Sequence, residues 1–527
     1  MKKNLELYGL PVLSGILLSW AFPRFHWFWL AWVALVPLFW TALRGDLRRA
    51  ACQFFLAGWV FHSILIQWLC ANIFWAGGWA LIAQQSLCVL LSLHWAAVAV
   101  IWKWLERRFP GKINILWIAP LWWGMEWLMA RWFSGFGWGA LGYSQGACLP
   151  IAQWAAMAGD VSFVSFFIVF VNALLALVLF EPKRLLRFVM AAALVAVIIT
   201  VGNWRLTRSS LPDGESKFPT LKVGMVQPSV SQEIKWDPYF DDFIMNMMEL
   251  QTRAIAKEGP LDLMVWPEAA VPGDLSREKT LEPLRALTRD TGASLITGIT
   301  RDDIAARKSY NSACLLTPEG RVAGVYDKVH LAPWGEYIPF EEWFPFLRGI
   351  AYGGVDAGEE LKIFQVGQRK AGPLICFEVL FAPLSKELKR KGADFLVVMT
   401  NLAWFGRSNA LLQELELARF RAIETGLPLV HSSNTGISGV FDGYGRFLSV
   451  SSFVHKDGTL TNYSPERISP AMVQQERLVG RLDLPAPVNT LDWMLYGGFL
   501  IVFGVLFDAT ERLRRWRLRV SAGKVRP

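Results

Sequence analysis

No two of the six cysteines form a CxxC pair, and the six histidines show no spacing that would gather them around an ion. Scattered at Cys52, Cys70, Cys88, Cys148, Cys314 and Cys376, the thiols suggest neither a zinc site nor a disulfide framework, so neither metal nor cofactor is expected. The chain also lacks internal repeats, low-complexity segments and the paired broken helices with repeat symmetry that would point to a transporter. Lys2 and Lys3 precede an apolar run, but Leu18-Ser19-Trp20-Ala21-Phe22-Pro23 has no small-residue cleavage pattern, so an uncleaved first helix is expected, not a secretory signal. The formal charge of +9 sits beside apolar runs and at the C-terminus, which suits an anionic membrane surface and argues against nucleic acid.

What the chain has in excess is apolar surface: 53% hydrophobic residues, 27 Trp and a mean hydropathy of +0.31 place part of it in lipid. A bilayer crossing needs about 20 residues, and runs of that kind recur at 8–23, 26–43, 51–70, 78–102, 113–130, 161–180 and 186–204. Lys2 and Lys3, then Arg44, Arg48 and Arg49, then Lys103, Arg107, Arg108 and Lys112, then Lys183, Arg184 and Arg187 fall on one side of these runs. The alternate loops hold only Arg24, His26 and Arg131, so the first set is cytoplasmic by the positive-inside rule. Seven crossings then deliver residues 206–488 to the outer face, and an eighth, 491–508, returns a tail rich in Arg to the inside. The Gly- and aromatic-rich stretch 131–160 reads as too broken for a continuous helix and is expected at the outer interface, where many of the Trp would form belts. Glu126, Gln84, Gln85 and His94 inside the spans line a substrate path or bond helix to helix.

From Leu221 the pattern changes to short β-rich runs alternating with amphipathic helices, an α/β domain behind a linker rich in Ser, Pro and Gly. The domains are therefore expected at 1–205 (seven spans), 206–219 (linker), 220–488 (α/β domain), 489–510 (last span) and 511–527 (basic cytoplasmic tail). Strands are expected at 222–227, 261–267, 293–300, 311–316, 321–328, 372–377, 394–401 and 427–433, and helices at 239–257, 280–291, 381–391 and 409–425. Pro318-Glu319-Gly320 and Asp442-Gly443-Tyr444-Gly445 read as hairpin turns.

Polar groups stand at or just past the ends of three apolar runs: Glu268 after Met264-Val265-Trp266-Pro267, Lys328 after Tyr326-Asp327, and Cys376 after Leu374-Ile375. Each alone is ordinary, since a solitary Cys in an apolar strand is more often packing than chemistry. Together they place a carboxylate, an amine and a thiol at strand ends, where ligand sites of α/β sheets lie. A thiol needs a base or a nearby cation to become a nucleophile, and Glu268 and Lys328 supply one of each.

Glu268 in VWPE, Lys328 in YDKVHLAPWGEYIP and Cys376 in LICFE resemble the Glu-Lys-Cys triad of the nitrilase, or carbon-nitrogen hydrolase, superfamily. With seven spans before this domain and one after it, nearly the whole chain resembles the bacterial apolipoprotein N-acyltransferases. Val226-Gln227-Pro228, Lys235-Trp236-Asp237-Pro238, Ala403-Trp404-Phe405-Gly406 after Asn401, and Arg421-Ala422-Ile423-Glu424-Thr425-Gly426 match as well. Two positions depart: Phe377 stands where these acyltransferases commonly carry Tyr, and Leu402 where nitrilase relatives commonly carry Asp. The resemblance implies about eight membrane helices plus an extracytoplasmic α-β-β-α sandwich, in the inner membrane with its catalytic domain in the periplasm. It implies transfer of an acyl chain from a phospholipid to the N-terminal amino group of diacylglyceryl-modified apolipoproteins, by a ping-pong route through a thioester on Cys376. Supporting roles are implied for Glu336 and Glu378, and contacts to substrate are expected at Trp236, Phe377 and Trp404. The segments 340–354 and 403–406 are expected to open toward the membrane, and the chain to act as a monomer. The rival reading is a membrane-tethered amidase with the same triad and water as acceptor.

Overall fold

The computed structural model describes residues 4–72, 79–132, 135–179, 184–208, 221–339, 341–343, 345, 354–406 and 408–450, together with the strand Glu476–Leu482. The expected last span at 491–508, the basic tail and most of the segment 340–354 lie outside the described residues.

The N-terminal half is helical: α1 (Leu10–Trp20), α2 (Val36–Ala42), α3 (Leu47–Leu65), α4 (Trp79–Arg108), α5 (Ile118–Met129), α6 (Leu149–Ala158), α7 (Val161–Val178) and α8 (Arg184–Arg208). Among the described residues three helical stretches, Trp79–Arg108, Val161–Val178 and Leu185–Thr207, are long and apolar enough to cross a membrane. Two runs read as continuous are broken. The run 26–43 is a 3-10 turn, Phe28–Trp32, followed by the short α2, which has Pro37 in its first turn. Proline lacks the N–H that would continue an earlier helix, so the helix restarts there. The run 113–130 likewise opens as a 3-10 turn, Lys112–Trp117, and becomes α5 from Ile118.

The stretch 131–160, expected to be too broken for a continuous helix, forms no continuous one but contains the short α6, with Pro150 in its first turn. Gly159 ends that helix at φ 109°, and the Asp160 side chain accepts from the Ser162 N–H to start α7. Helix α8 runs to Arg208, into the stretch read as linker from 206. The polar residues within the runs bond the half together: Glu126 accepts from Trp122 Nε1 (2.7 Å) and the Leu141 N–H (3.1 Å), and Gln85 accepts from Trp59 Nε1 (2.9 Å). Trp95, Trp102 and Trp122 are buried in the half's own core, whereas Trp27, Trp29, Trp104 and Trp132 face outward.

The second half is two stacked sheets. One has the order β13 (Glu476–Leu482), β1 (Leu221–Gln227), β2 (Leu263–Val265), β4 (Ser294–Asp303), β5 (Lys308–Leu316), β6 (Val322–Asp327), with β3 (Val271–Asp274) paired to β4. The other runs β12 (Phe447–Val450), β11 (Gly439–Phe441), β10 (Leu429–Ser433), β9 (Phe395–Thr400), β8 (Arg369–Ile375), β7 (Phe364–Val366). All eight expected strands form, and the two expected hairpin turns join the antiparallel pairs β5–β6 and β11–β12. The strands β3, β7, β11, β12 and β13 are additions, too short or too distant in sequence to be read from local pattern, although the turn at Asp442–Gly445 marked where β11 and β12 meet.

Val223, Met225, Val265 and Ile296 of the first sheet pack in one core with Leu374, Val398 and Val430 of the second. The opposite face of the first sheet, through Met264, Leu295 and Cys314, packs on Ile244 and Met248 of α10 (Asp241–Lys257) and Leu284 and Leu287 of α11 (Glu278–Thr291). Short α9 (Gln232–Lys235) precedes α10. The second sheet carries α12 (Ala382–Arg390) and α13 (Ala410–Thr425), completing an α-β-β-α sandwich.

Helix α13 is buried along its whole length because the N-terminal half covers it. Gln413 Oε1 accepts from Trp68 Nε1 (2.9 Å) and Trp138 Nε1 (2.7 Å), and Arg419 donates to the Gly146 carbonyl (2.6 Å). Arg421 donates to Tyr143 Oη (2.8 Å) and to the Leu380 carbonyl (3.1 Å), while Glu424 accepts from the Val161 N–H (2.8 Å). Buried polar groups of this kind hold only when each finds a partner, so these bonds fix how the two halves meet. Leu380 closes the turn that begins at Cys376, and that turn therefore lies on the junction.

Candidate active site

Three of the expected residues, with Glu336, converge at one end of the sandwich. Strand β2 stops at Val265 and passes Glu268 into a turn that lies directly on β4: a Cβ at Gly298 would come within 2.4 Å of the Ala269 nitrogen and 2.7 Å of Glu268 Cα. Only glycine admits that approach. Lys328 follows β6, and Glu336 lies in the loop beyond it. Strand β8 ends at Ile375, two residues earlier than a strand through 377 would require, and Cys376 opens a 3-10 turn at φ 49°. This left-handed conformation is costly for a residue with a Cβ, by about 1 kcal/mol. It turns the chain out of the sheet, and Cys376 is half-buried there.

Lys328 is 1% exposed and sits between two carboxylates, with Nζ 2.8 Å from Glu336 Oε2 and 3.6 Å from Glu268 Oε1. Asn311 Nδ2 bridges the same pair, donating to Glu268 Oε1 (2.8 Å) and Glu336 Oε1 (2.9 Å). The Asn401 N–H donates to Glu268 Oε2 (2.8 Å) and the Ala332 N–H to Glu336 Oε2 (2.7 Å).

These surroundings push the two carboxylates apart. Burial alone would raise Glu336, but the close Lys328 ammonium and the Ala332 N–H hold it below the usual carboxylate range. Glu268 is raised by burial and by the charge of Glu336, with Lys328 and Asn311 only partly opposing. Lys328 would be lowered by burial, yet the charges of Glu336 and Glu268 carry it above its ordinary value. The Cys376 thiol is pushed well up by burial and by the facing Glu268, against the pull of Lys328. Carboxylates separated in this way divide the work: Glu336 remains the anionic partner of the ammonium, and Glu268 is the one poised to take a proton.

Glu378 occupies a different place. Its Oε1 accepts from Tyr326 Oη (2.6 Å) and the N–H groups of Val329 (2.9 Å) and His330 (3.1 Å), and its Oε2 accepts from the Ile375 N–H (2.8 Å). It ties the chain just after Lys328 to the turn carrying Cys376, so it acts on both through the main chain. Phe377 stacks edge-on with Phe381 (5.2 Å), and a Cβ at Gly135 of the N-terminal half would come within 2.8 Å of that same Phe381 ring. Trp404 is half-buried beside Phe405, which meets Trp68 of the N-terminal half edge-on at 4.7 Å. Trp236 is 55% exposed, and Lys235 before it reaches the Glu268 main chain. Cys314 is buried on the far side of its sheet, and burial pushes its thiol up to about 12. Among the described residues no group of His, Cys, Asp and Glu is arranged to hold a metal ion.

Asn311, Lys235 and Gln232 were not legible as site residues. Each is a single polar residue within an ordinary strand or a one-turn helix, and its contacts are made across the fold.

Two family models match the chain: Carbon-nitrogen hydrolase over residues 222–466, and Apolipoprotein N-acyltransferase N-terminal domain over residues 14–174. A protein named apolipoprotein N-acyltransferase from Geobacter metallireducens is 34% identical over 453 residues, covering 83% of this chain and 86% of that one. The chain belongs to the apolipoprotein N-acyltransferase family. Family members of the same name from Pasteurella multocida (28% identical, covering 85% and 88% of the two chains) and Rhizobium rhizogenes (30%, covering 88% and 91%) align over a similar extent. For this apolipoprotein N-acyltransferase family member, the carbon-nitrogen hydrolase match spans all of Glu268, Lys328, Glu336 and Cys376.

Proposed function

We propose that the chain transfers an acyl group from a phospholipid to the α-amino group of diacylglyceryl-cysteine at the N-terminus of apolipoproteins, through a thioester on Cys376. The observation that carries this reading is the Glu268–Lys328–Glu336 cluster facing the thiol of Cys376, held in a strained turn, in a chain of this family. Glu268 takes the thiol proton, and the sulfur attacks the acyl ester carbonyl. Lys328 and main-chain N–H groups stabilise the oxyanion, at about 3 kcal/mol per well-placed donor. The ester C–O bond breaks, and the departing lysophospholipid oxygen takes the proton back from Glu268. In the second half the α-amine attacks the thioester, Glu268 accepts its proton, and the Cys376 sulfur leaves and is reprotonated. Glu336 keeps Lys328 charged throughout, and Glu378 holds Lys328 and Cys376 in register.

In this reading residues 1–205 form a seven-span membrane domain, 206–219 a linker, 220–488 a periplasmic catalytic domain, 489–510 an eighth span and 511–527 a cytoplasmic tail of the bacterial inner membrane. The alternation of basic loops supports that orientation. Contact of the Cys376 turn with the N-terminal half supports delivery of lipid at the junction, past Trp236, Phe377 and Trp404. The full chain in phospholipid vesicles, given a diacylated lipopeptide with a free α-amine, is expected to yield one N-acylated peptide per lysophospholipid, measured by mass spectrometry. Release of ammonia from small amides without acyl transfer would overturn the reading in favour of an amidase.

A further inference from the structure

The base has a second cation behind it. Lys235, at the end of α9, is 8% exposed, and its Nζ donates to the carbonyls of Ala269 (2.7 Å) and Glu268 (3.3 Å). Ala269 stands at φ 46°, a left-handed turn that a residue with a Cβ adopts only under constraint. The same short helix reaches the Glu268 carboxylate by another route: Gln232 Oε1 accepts from Asn401 Nδ2 (3.2 Å), and the Asn401 N–H donates to Glu268 Oε2 (2.8 Å). One five-residue segment, 232–236, therefore grips Glu268 at its main chain and at its side chain, and ends in the exposed Trp236.

We propose that Lys235 is a positioning residue for Glu268, pinning the turn that aims the carboxylate at Cys376 and keeping that carboxylate anionic in the resting site. The inference rests on Glu268 acting as the base. The charged groups that face Glu268 are Lys328 after β6, Glu336 in the following loop, the Cys376 thiol after β8, and Lys235. Lys328 is already committed to Glu336 at 2.8 Å, whereas Lys235 lies behind the Glu268 turn, with its hydrogen bonds to the Ala269 and Glu268 carbonyls. Burial lowers Lys235 to about 8 against the opposing pull of Glu268. The sign follows: without this cation the anionic form of Glu268 is less favoured, so the carboxylate titrates at still higher pH, and base catalysis is lost at a higher pH on the acid side.

The test is the rate at which iodoacetamide alkylates Cys376 in the full chain in phospholipid vesicles, measured from pH 5 to 9. The sulfur displaces iodide and its proton passes to Glu268, so the rate reports the base without needing either lipid substrate. Lys235→Met and Lys235→Gln both remove the charge, and Gln retains an N–H for the Ala269 carbonyl. Each is expected to shift the acid limb up by about one pH unit, and Lys235→Arg to leave it in place. A limb unmoved in folded Lys235→Gln, while Glu268→Gln alters the profile, overturns the inference alone. A profile indifferent to Glu268→Gln removes the base itself and the inference with it. A strut without electrostatic influence would lower the melting temperature of Lys235→Met and leave the limb where it is in all three variants.

Discussion

Cys376→Ala folds and transfers no acyl chain: the rate falls by about 10⁴-fold or more, the scale seen when a covalent nucleophile is removed from its catalytic group. No other described thiol of the catalytic half can substitute. Cys314 is buried behind its sheet with its thiol pushed up to about 12, so it is neither accessible nor ionised at neutral pH. Alanine keeps the Cβ at φ 49° and leaves the turn bonded through Ile375 and Glu378, so stability should change by no more than about 1 kcal/mol. Vesicle-bound enzyme assayed by lipopeptide mass, beside a melting curve, checks both parts. Retained transfer in Cys376→Ala would remove the thioester from the mechanism.

Lys328→Met loses activity and stability together. The ammonium neutralises two buried carboxylates, and removing one partner of such a cluster costs about 3–5 kcal/mol, because the remaining charges stay buried and unpaired. The pH dependence also changes direction. In the native protein Glu336 is held below its ordinary range, so its contribution is present above the unfolded carboxylate value and is lost as the pH falls through the folded one. Without Lys328, burial raises both Glu268 and Glu336 above their unfolded values, so the variant gains stability as the pH falls from about 8 to 5. Lys328→Met/Glu336→Gln should recover part of the lost melting temperature and none of the lost transfer, since the oxyanion partner is still missing. Recovery of transfer by the double variant would contradict the assignment of Lys328.

Much of this arrangement could be read from residues in order. Glu268, Lys328 and Cys376 each follow an apolar run, so local pattern placed each at a strand end, where ligand sites of α/β sheets lie, and the fold brings those ends together. Glu336 was visible only through resemblance. Local pattern gave no sign that Lys328 pairs more closely with Glu336 than with Glu268, because that preference depends on a loop returning across the strand end. Asn311 bridges two carboxylates by virtue of its register on β5, and a one-residue slip would point it into the core. In the membrane half, hydropathy counted apolar runs correctly as helical territory. It missed the interruptions at Phe28–Trp32 and Lys112–Trp117, and the helix α6, since mean hydropathy does not register where proline restarts a helix. The burial of α13 was equally hidden, because Gln413, Arg419 and Arg421 find their partners only where the N-terminal half covers the helix.

The most direct measurement is intact mass spectrometry of the full chain after incubation with phospholipid and no acceptor. The account predicts a single acyl adduct, one lysophospholipid released per enzyme, an adduct that maps to Cys376, and its removal by hydroxylamine as befits a thioester. An enzyme that transfers acyl chains to lipopeptide yet never carries such an adduct, or carries it elsewhere than Cys376, would contradict it.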